Sequence, residues 1–190
     1  MNILSVDVDY AYSPTIAVYD DFVEGSRVSL EEQQKIFSDL SLPLPAVNEK
    51  KIEYLKEVVR RSVDASTPII IGEHHHEILQ FLPTKKEFSI INFDHHHDIY
   101  YPGWHSLDKL DEGNWVYFLK EKPIIKYTWV RNEDSEDMPD DLPVDFNVQE
   151  VLHMPVSDIP KSDLVFFCVS SHWTGSTGRS KVLELISEIR

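Results

Sequence analysis

The chain reads as an α/β domain in three layers with a mainly parallel sheet, and two features of the sequence carry that expectation. Short apolar runs alternate with amphipathic helical stretches, the order that puts crossover helices between parallel strands. Several of those runs, Pro68-Ile69-Ile70-Ile71 and Val165-Phe166-Phe167 among them, are apolar at every position, as strands covered on both faces require.

Strands are expected at 3–8, 68–71, 88–93, 124–130 and 164–170. Two helices fall between the first and second. Ser29-Leu30-Glu31-Glu32 has the form of a capping box opening a helix toward Leu40. Asn48 is placed to cap the next, where Ile52, Leu55, Val58 and Val59 share one face at helical spacing. A third helix is expected at 178–188, with Val182, Leu183, Leu185, Ile186 and Ile189 as its apolar side. No internal repeat or linker divides the sequence, so one domain over 1–190 is expected.

At 190 residues and 42% hydrophobic, such a domain buries a core without disulfides. No segment approaches the roughly 18 consecutive apolar residues of a membrane span. The N-terminus enters a strand-like run with no basic segment or small-residue cleavage site, so a cytoplasmic protein is expected. The formal charge of −15 argues against a nucleic-acid partner, whose phosphates it would repel, and favours cationic substrates. Part of that charge is local, in the proline-containing acidic stretch from Glu133 to Asp141, which reads as a solvated loop. The lone cysteine, Cys168, lies in an apolar run and reads as a small buried hydrophobe, so thiolate metal sites are not expected.

Three polar clusters each fall at the C-terminal end of an expected strand, where open α/β sheets build their sites. The first is Ser5-Val6-Asp7-Val8-Asp9, whose alternating carboxylates share one face of a strand. Two carboxylates that close repel unless a cation lies between them or one holds a proton. The second is Gly72-Glu73-His74-His75-His76-Glu77. The third is Asp94-His95-His96-His97-Asp98, in which Asp94, His96 and Asp98 face one side while His95 and His97 face the other. Mixed oxygen and nitrogen donors suit Mn²⁺, Fe²⁺ or Zn²⁺, and the carboxylate majority tilts the choice to Mn²⁺. Six ligands (Asp7, Asp9, His74, Asp94, His96 and Asp98) suit two ions sharing a bridging carboxylate better than one.

These clusters resemble the signatures of the ureohydrolases, the arginase and agmatinase superfamily: Gly-Gly-Asp-His, Asp-Ala-His-x-Asp and Ser-x-Asp-x-Asp. The chain is also similar to short arginase-like proteins with a Glu-His-Asn-Glu cluster and a later Asn-Trp, matched here by Glu73–Glu77 and by Asn114-Trp115. Among these it looks most like the peptide arginases, which convert peptidyl arginine to ornithine. The Ser-x-Asp-x-Asp cluster comes first rather than last, and the chain is shorter than a free-arginine arginase. The resemblance covers about a third of the sequence.

The resemblance implies an arginase-like fold and two Mn²⁺ ions bridged by Asp94 and Asp7. His74 and Asp98 would complete one ion, His96 and Asp9 the other. It further implies attack of a metal-activated hydroxide on a guanidinium, releasing urea, with an arginine-containing precursor peptide as partner and no membrane. The leaving amine needs a proton, for which His105 is the first choice and His172 the second. A carboxylate must orient the guanidinium, and Glu73, Glu77 and Glu24 remain open for that role. The loop Ser171–Gly178, with His172 and Thr174, either lines the substrate cleft or is a strand-to-helix connection capped by Ser176 or Thr177. Trp104, Trp129 and Tyr12 read as packing. The rival functions are hydrolysis of another small guanidino or amide compound, and metal-dependent peptide recognition without turnover.

Overall fold

In the computed structural model, residues 1–13, 29–39, 41, 45–101 and 106–189 are described. The strands, in chain order, are β1 (Asn2–Asp7), β2 (Tyr12–Ser13), β3 (Ala46–Val47), β4 (Ile69–Gly72), β5 (Phe88–Phe93), β6 (Ile124–Arg131), β7 (Asn147–Leu152) and β8 (Leu164–Cys168). Six form one all-parallel sheet in the order β4-β8-β1-β5-β6-β7, while β2 and β3 make a small antiparallel ladder. β1 sits inside the sheet, flanked by β8 and β5. The chain leaves β1 for the β4 edge and then crosses to β5 on the opposite flank, a reversal that opens a crevice at the C-terminal strand ends.

The helices are α1 (Leu30–Asp39), α2 (Glu49–Ser62), the single turn α3 (Ser171–Thr174) and α4 (Gly178–Ser187). Both expected N-terminal caps form. The Ser29 amide and hydroxyl donate to Glu32, whose own amide donates to the Ser29 hydroxyl, and Asn48 Oδ1 accepts from the amides of Lys50 and Lys51. Ile52, Leu55, Val58 and Val59 of α2 and Val182 and Leu185 of α4 pack on one sheet face against Leu4, Val6, Val165 and Phe167. The opposite face buries Ile3, Phe88, Ile90, Tyr127, Trp129 and Phe166 under Ile78 and Leu119, from short 3₁₀ turns, and Trp115 and Val116, from the link between two such turns. No helix among the described residues is long and apolar enough to cross a membrane.

Three expectations need correction. β1 ends at Asp7, because the Asp7 carboxylate accepts the Asp9 amide (3.0 Å) and starts a 3₁₀ turn, Val8–Ala11. Asp9 therefore reaches its place by a turn, not by strand alternation. β7 was not expected: Gln149 and Glu150 interrupt its apolar pattern, since it is an edge strand paired only with β6. The acidic stretch is also tied down at its start, where the buried Lys51 ammonium meets Asp134 (2.9 Å) and Glu133 (3.6 Å).

Candidate metal centre

The C-terminal ends of β1 and β5, with the turn after β4, bring Asp7, Asp9, Asp94, Asp98, His75 and His96 together, and all four carboxylates are buried. Two groups made only of carboxylate and imidazole donors form here, the atoms of each within 4.8 Å of one another: Asp9, Asp94 and His96, and His75, Asp94 and Asp98. Asp94 belongs to both. His96 Nδ1 lies 3.1 Å from Asp9 Oδ2. His75 Nδ1 lies 2.9 Å from Asp94, 3.3 Å from Asp98 and 3.4 Å from Asp7.

Surrounding groups fix these side chains. The Asn92 amide nitrogen donates to Asp94 Oδ2 (3.0 Å), and the His96 amide donates to Asp94 Oδ1 (2.9 Å). Trp115 Nε1 donates to Asp98 Oδ2 (2.7 Å). Ser5 Oγ, two residues before Asp7 on the same strand face, meets His75 Nε2 at 2.7 Å. That leaves the Nδ1 of His75 to the carboxylates. The His75 ring packs between Trp115 and Phe166, and the indole of Trp173 lies 4.8 Å from the His96 ring.

So many carboxylates in a low-dielectric pocket demand positive charge. Burial, then the charges of Asp98 and Asp9, push the Asp94 carboxyl well above the usual carboxylate range. Burial and neighbouring Asp7 raise Asp9 as well. Burial alone would drive the imidazoles down, but Asp7, Asp94 and Asp98 outweigh it at His75, and Asp9, Asp94 and Asp98 hold His96 at about 10. At Asp98 burial is outweighed by His75, His96 and the Trp115 indole, and its pKa falls.

The donor set fits a divalent cation. His75 Nδ1 lies among three carboxylates without a well-directed hydrogen bond to any of them, and the buried His96 Nε2 has no partner among the described residues. Mixed imidazole nitrogen and carboxylate oxygen donors gathered this closely are a set that could hold such an ion. Hard oxygen donors predominate.

Of the expected ligands, Asp7, Asp9, Asp94, His96 and Asp98 lie in this cluster, but His74 does not. The chain is extended at His74 and turns at His75, so successive side chains point apart and His75 faces inward. His74 Nδ1 lies instead 2.6 Å from Glu112 Oε1, its ring stacked between those of His76 and His172. Glu73 is engaged by Arg179 (3.3 Å) and by the Ser171 hydroxyl. Glu77 is half-buried and packs toward Gly72. Thr174 is buried and donates to the carbonyls of Val169 and Ser170, so it supports the turn after β8 and does not line a cleft. Thr177 occupies the cap position of α4 without a side-chain cap bond. Glu24, Trp104 and His105 lie outside the described residues.

His95 and His97 belong to neither group of donor atoms. Burial lowers them to about 3 and about 4, and His97 stacks on Tyr101. Trp129 and Tyr12 are core residues, and Trp129 Nε1 also donates to the Asp94 carbonyl (3.0 Å). Cys168 is buried, but its sulfur stands with Asp7 and His75, closer to the cluster than its apolar surroundings in sequence imply. Burial, then Asp7, pushes its thiol well up and keeps it protonated.

Sequence reasoning missed His75, Asn92 and Glu112, and named Trp115 only through resemblance. Asn92 carried a usable signal: a polar residue inside an apolar strand, two before Asp94 and so on its face. Glu112 carried none, since its 3₁₀ turn has no periodicity. No protein-family model, curated protein or solved structure matches the chain, so its function rests on its own residues.

Proposed function

We propose that the chain is an arginase-like, metal-dependent hydrolase that converts arginine side chains of a peptide to ornithine and urea, using two Mn²⁺ ions. The observation that carries the reading is Asp94, buried and shared by two adjoining groups of ligand atoms. In this reading Asp9, Asp94 and His96 hold one ion, and His75, Asp94 and Asp98 the other, with Asp7 beside them. Bound divalent metal supplies Lewis-acid polarisation and a water acidic enough to ionise near neutral pH.

The chain's own groups do the rest. Asn92 and Trp115 aim the carboxylates of Asp94 and Asp98, and Ser5 sets which nitrogen His75 turns inward. The Trp173 indole against His96 keeps water off one side of that ligand. Glu73 and Glu77, each two residues along the chain from His75, are the carboxylates within the described residues that would orient a guanidinium. Glu73 already accepts one, from Arg179, in the charge-assisted geometry such recognition uses. The net charge of −15 favours approach of a cationic side chain.

Mass spectrometry of an arginine-containing peptide incubated with the protein and Mn²⁺, beside free arginine and a chelated control, tests the proposal. Expected is conversion of the peptide's arginine to ornithine, with urea released, only when metal is present. Free arginine turned over equally well would remove the peptide preference. No product from metal-loaded protein would overturn the guanidinium chemistry.

A further inference from the structure

We propose that His74, Glu112 and His172 form a separate metal site at the rim of the buried cluster, selective for Zn²⁺ or a similar borderline divalent ion over Mn²⁺. This goes beyond the function proposed above and does not require the buried cluster to hold metal.

The three residues come from distant parts of the chain: the turn after β4, the 3₁₀ segment Glu112–Asn114, and α3 after β8. Their donor atoms nonetheless lie within 4.8 Å of one another, and all three side chains are half-buried. Each is delivered by a fixed piece of backbone. The Glu112 turn carries a capping box between Asp111 and Asn114, and the Asn114 amide also ties down the carbonyls of Ser106 and Lys109. α3 follows Ser170, held in the left-handed region (φ 51°) at its N-cap position, and is anchored by Thr174. His74 is the chain neighbour of His75, which the carboxylates fix from the other side.

A histidine–glutamate hydrogen bond needs only two partners. Here a second imidazole lies along the first, with ring centroids 5.9 Å apart and planes 23° apart. Two protonated rings so placed would repel, whereas two neutral rings and a carboxylate sharing one cation would not. Two imidazoles and one carboxylate, with positions open to water on the exposed side, are the donor set of mononuclear zinc sites. The chemistry contrasts with that of the buried cluster, where carboxylates outnumber imidazoles and Mn²⁺ is favoured.

Equilibrium dialysis of the full chain against Mn²⁺ and then Zn²⁺, with elemental analysis, reads the two sites separately. Parent protein should bind one Zn²⁺ equivalent more than His172→Ala and Glu112→Gln do, with the same Mn²⁺ content before zinc is added. Circular dichroism checks that the variants fold. If His172→Ala does not, the milder Glu112→Gln carries the comparison. Asp94→Asn should lose Mn²⁺ but keep the Zn²⁺ equivalent, so failure of the buried site and failure of this one are distinguishable. Equal Zn²⁺ binding by the parent and a folded variant would overturn the proposal.

Discussion

The indole nitrogen of Trp115 donates to Asp98 Oδ2 at 2.7 Å, while the amide of the next residue, Val116, donates to the Asp98 carbonyl at 3.0 Å. Together they hold Asp98 in the left-handed region, at φ 53°, where a non-glycine residue persists only if its surroundings insist. Trp115→Phe keeps a ring in the core and removes the charge-assisted bond. The expected cost is about 1–3 kcal/mol of stability. Affinity for metal should also fall about 10–100-fold, because the carboxylate loses its orienting partner. Urea unfolding in chelator and Mn²⁺ dialysis measure the two effects, and parent-like values in both would show that the contact is incidental.

Gly72 closes β4 at a point where no side chain fits. A Cβ there would lie 2.5 Å from Cζ of Phe166 and 2.9 Å from Oε2 of Glu77. Phe166 is fully buried and is also the ring against which His75 packs. Gly72→Ala should therefore destabilise by about 1–3 kcal/mol, as overpacking does. An unchanged denaturation midpoint would mean that the β4 edge yields more readily than its packing implies.

His97 is buried neutral, its pKa lowered by burial from 6.5 to about 4. Between those values the unfolded chain binds the extra proton, so this residue's contribution is complete above pH 6.5 and is lost as the pH falls toward 4. The loss amounts to at most about 3 kcal/mol. Asp9 and Asp94, whose pKa values are raised, act in the opposite sense over part of that range, so the comparison must be made against a variant. His97→Asn retains an acceptor for the Ile99 amide (3.1 Å in the parent) but cannot titrate. In chelator it should be less stable than the parent at pH 7 and lose less stability on acidification to about pH 4. Parallel stability–pH curves would contradict the assignment.

The sheet's inner strands were legible because burial on both faces leaves a continuous apolar run, as in Val165-Phe166-Phe167. The edge strand β7 was not, since one-sided pairing tolerates Gln149 and Glu150. The aspartates of the site were readable because carboxylates gathered at the ends of buried strands call for a cation to offset their repulsion. The histidine was read one residue early, as His74: three in a row carry the same chemistry, and only the point at which the extended chain turns, between His74 and His75, decides which faces inward. Glu112 depended on a fold-back from a segment without periodic pattern, which local sequence does not encode.

The central claim is that His75 and Asp94, not His74, belong to a buried divalent-metal centre. Mn²⁺ binding by equilibrium dialysis at neutral pH, on the parent and on His75→Ala, Asp94→Asn and His74→Ala, tests it most directly. The account predicts Mn²⁺ bound by the parent and by His74→Ala, and lost from the other two while they remain folded. Parent-like Mn²⁺ binding by Asp94→Asn, or loss confined to His74→Ala, would contradict it.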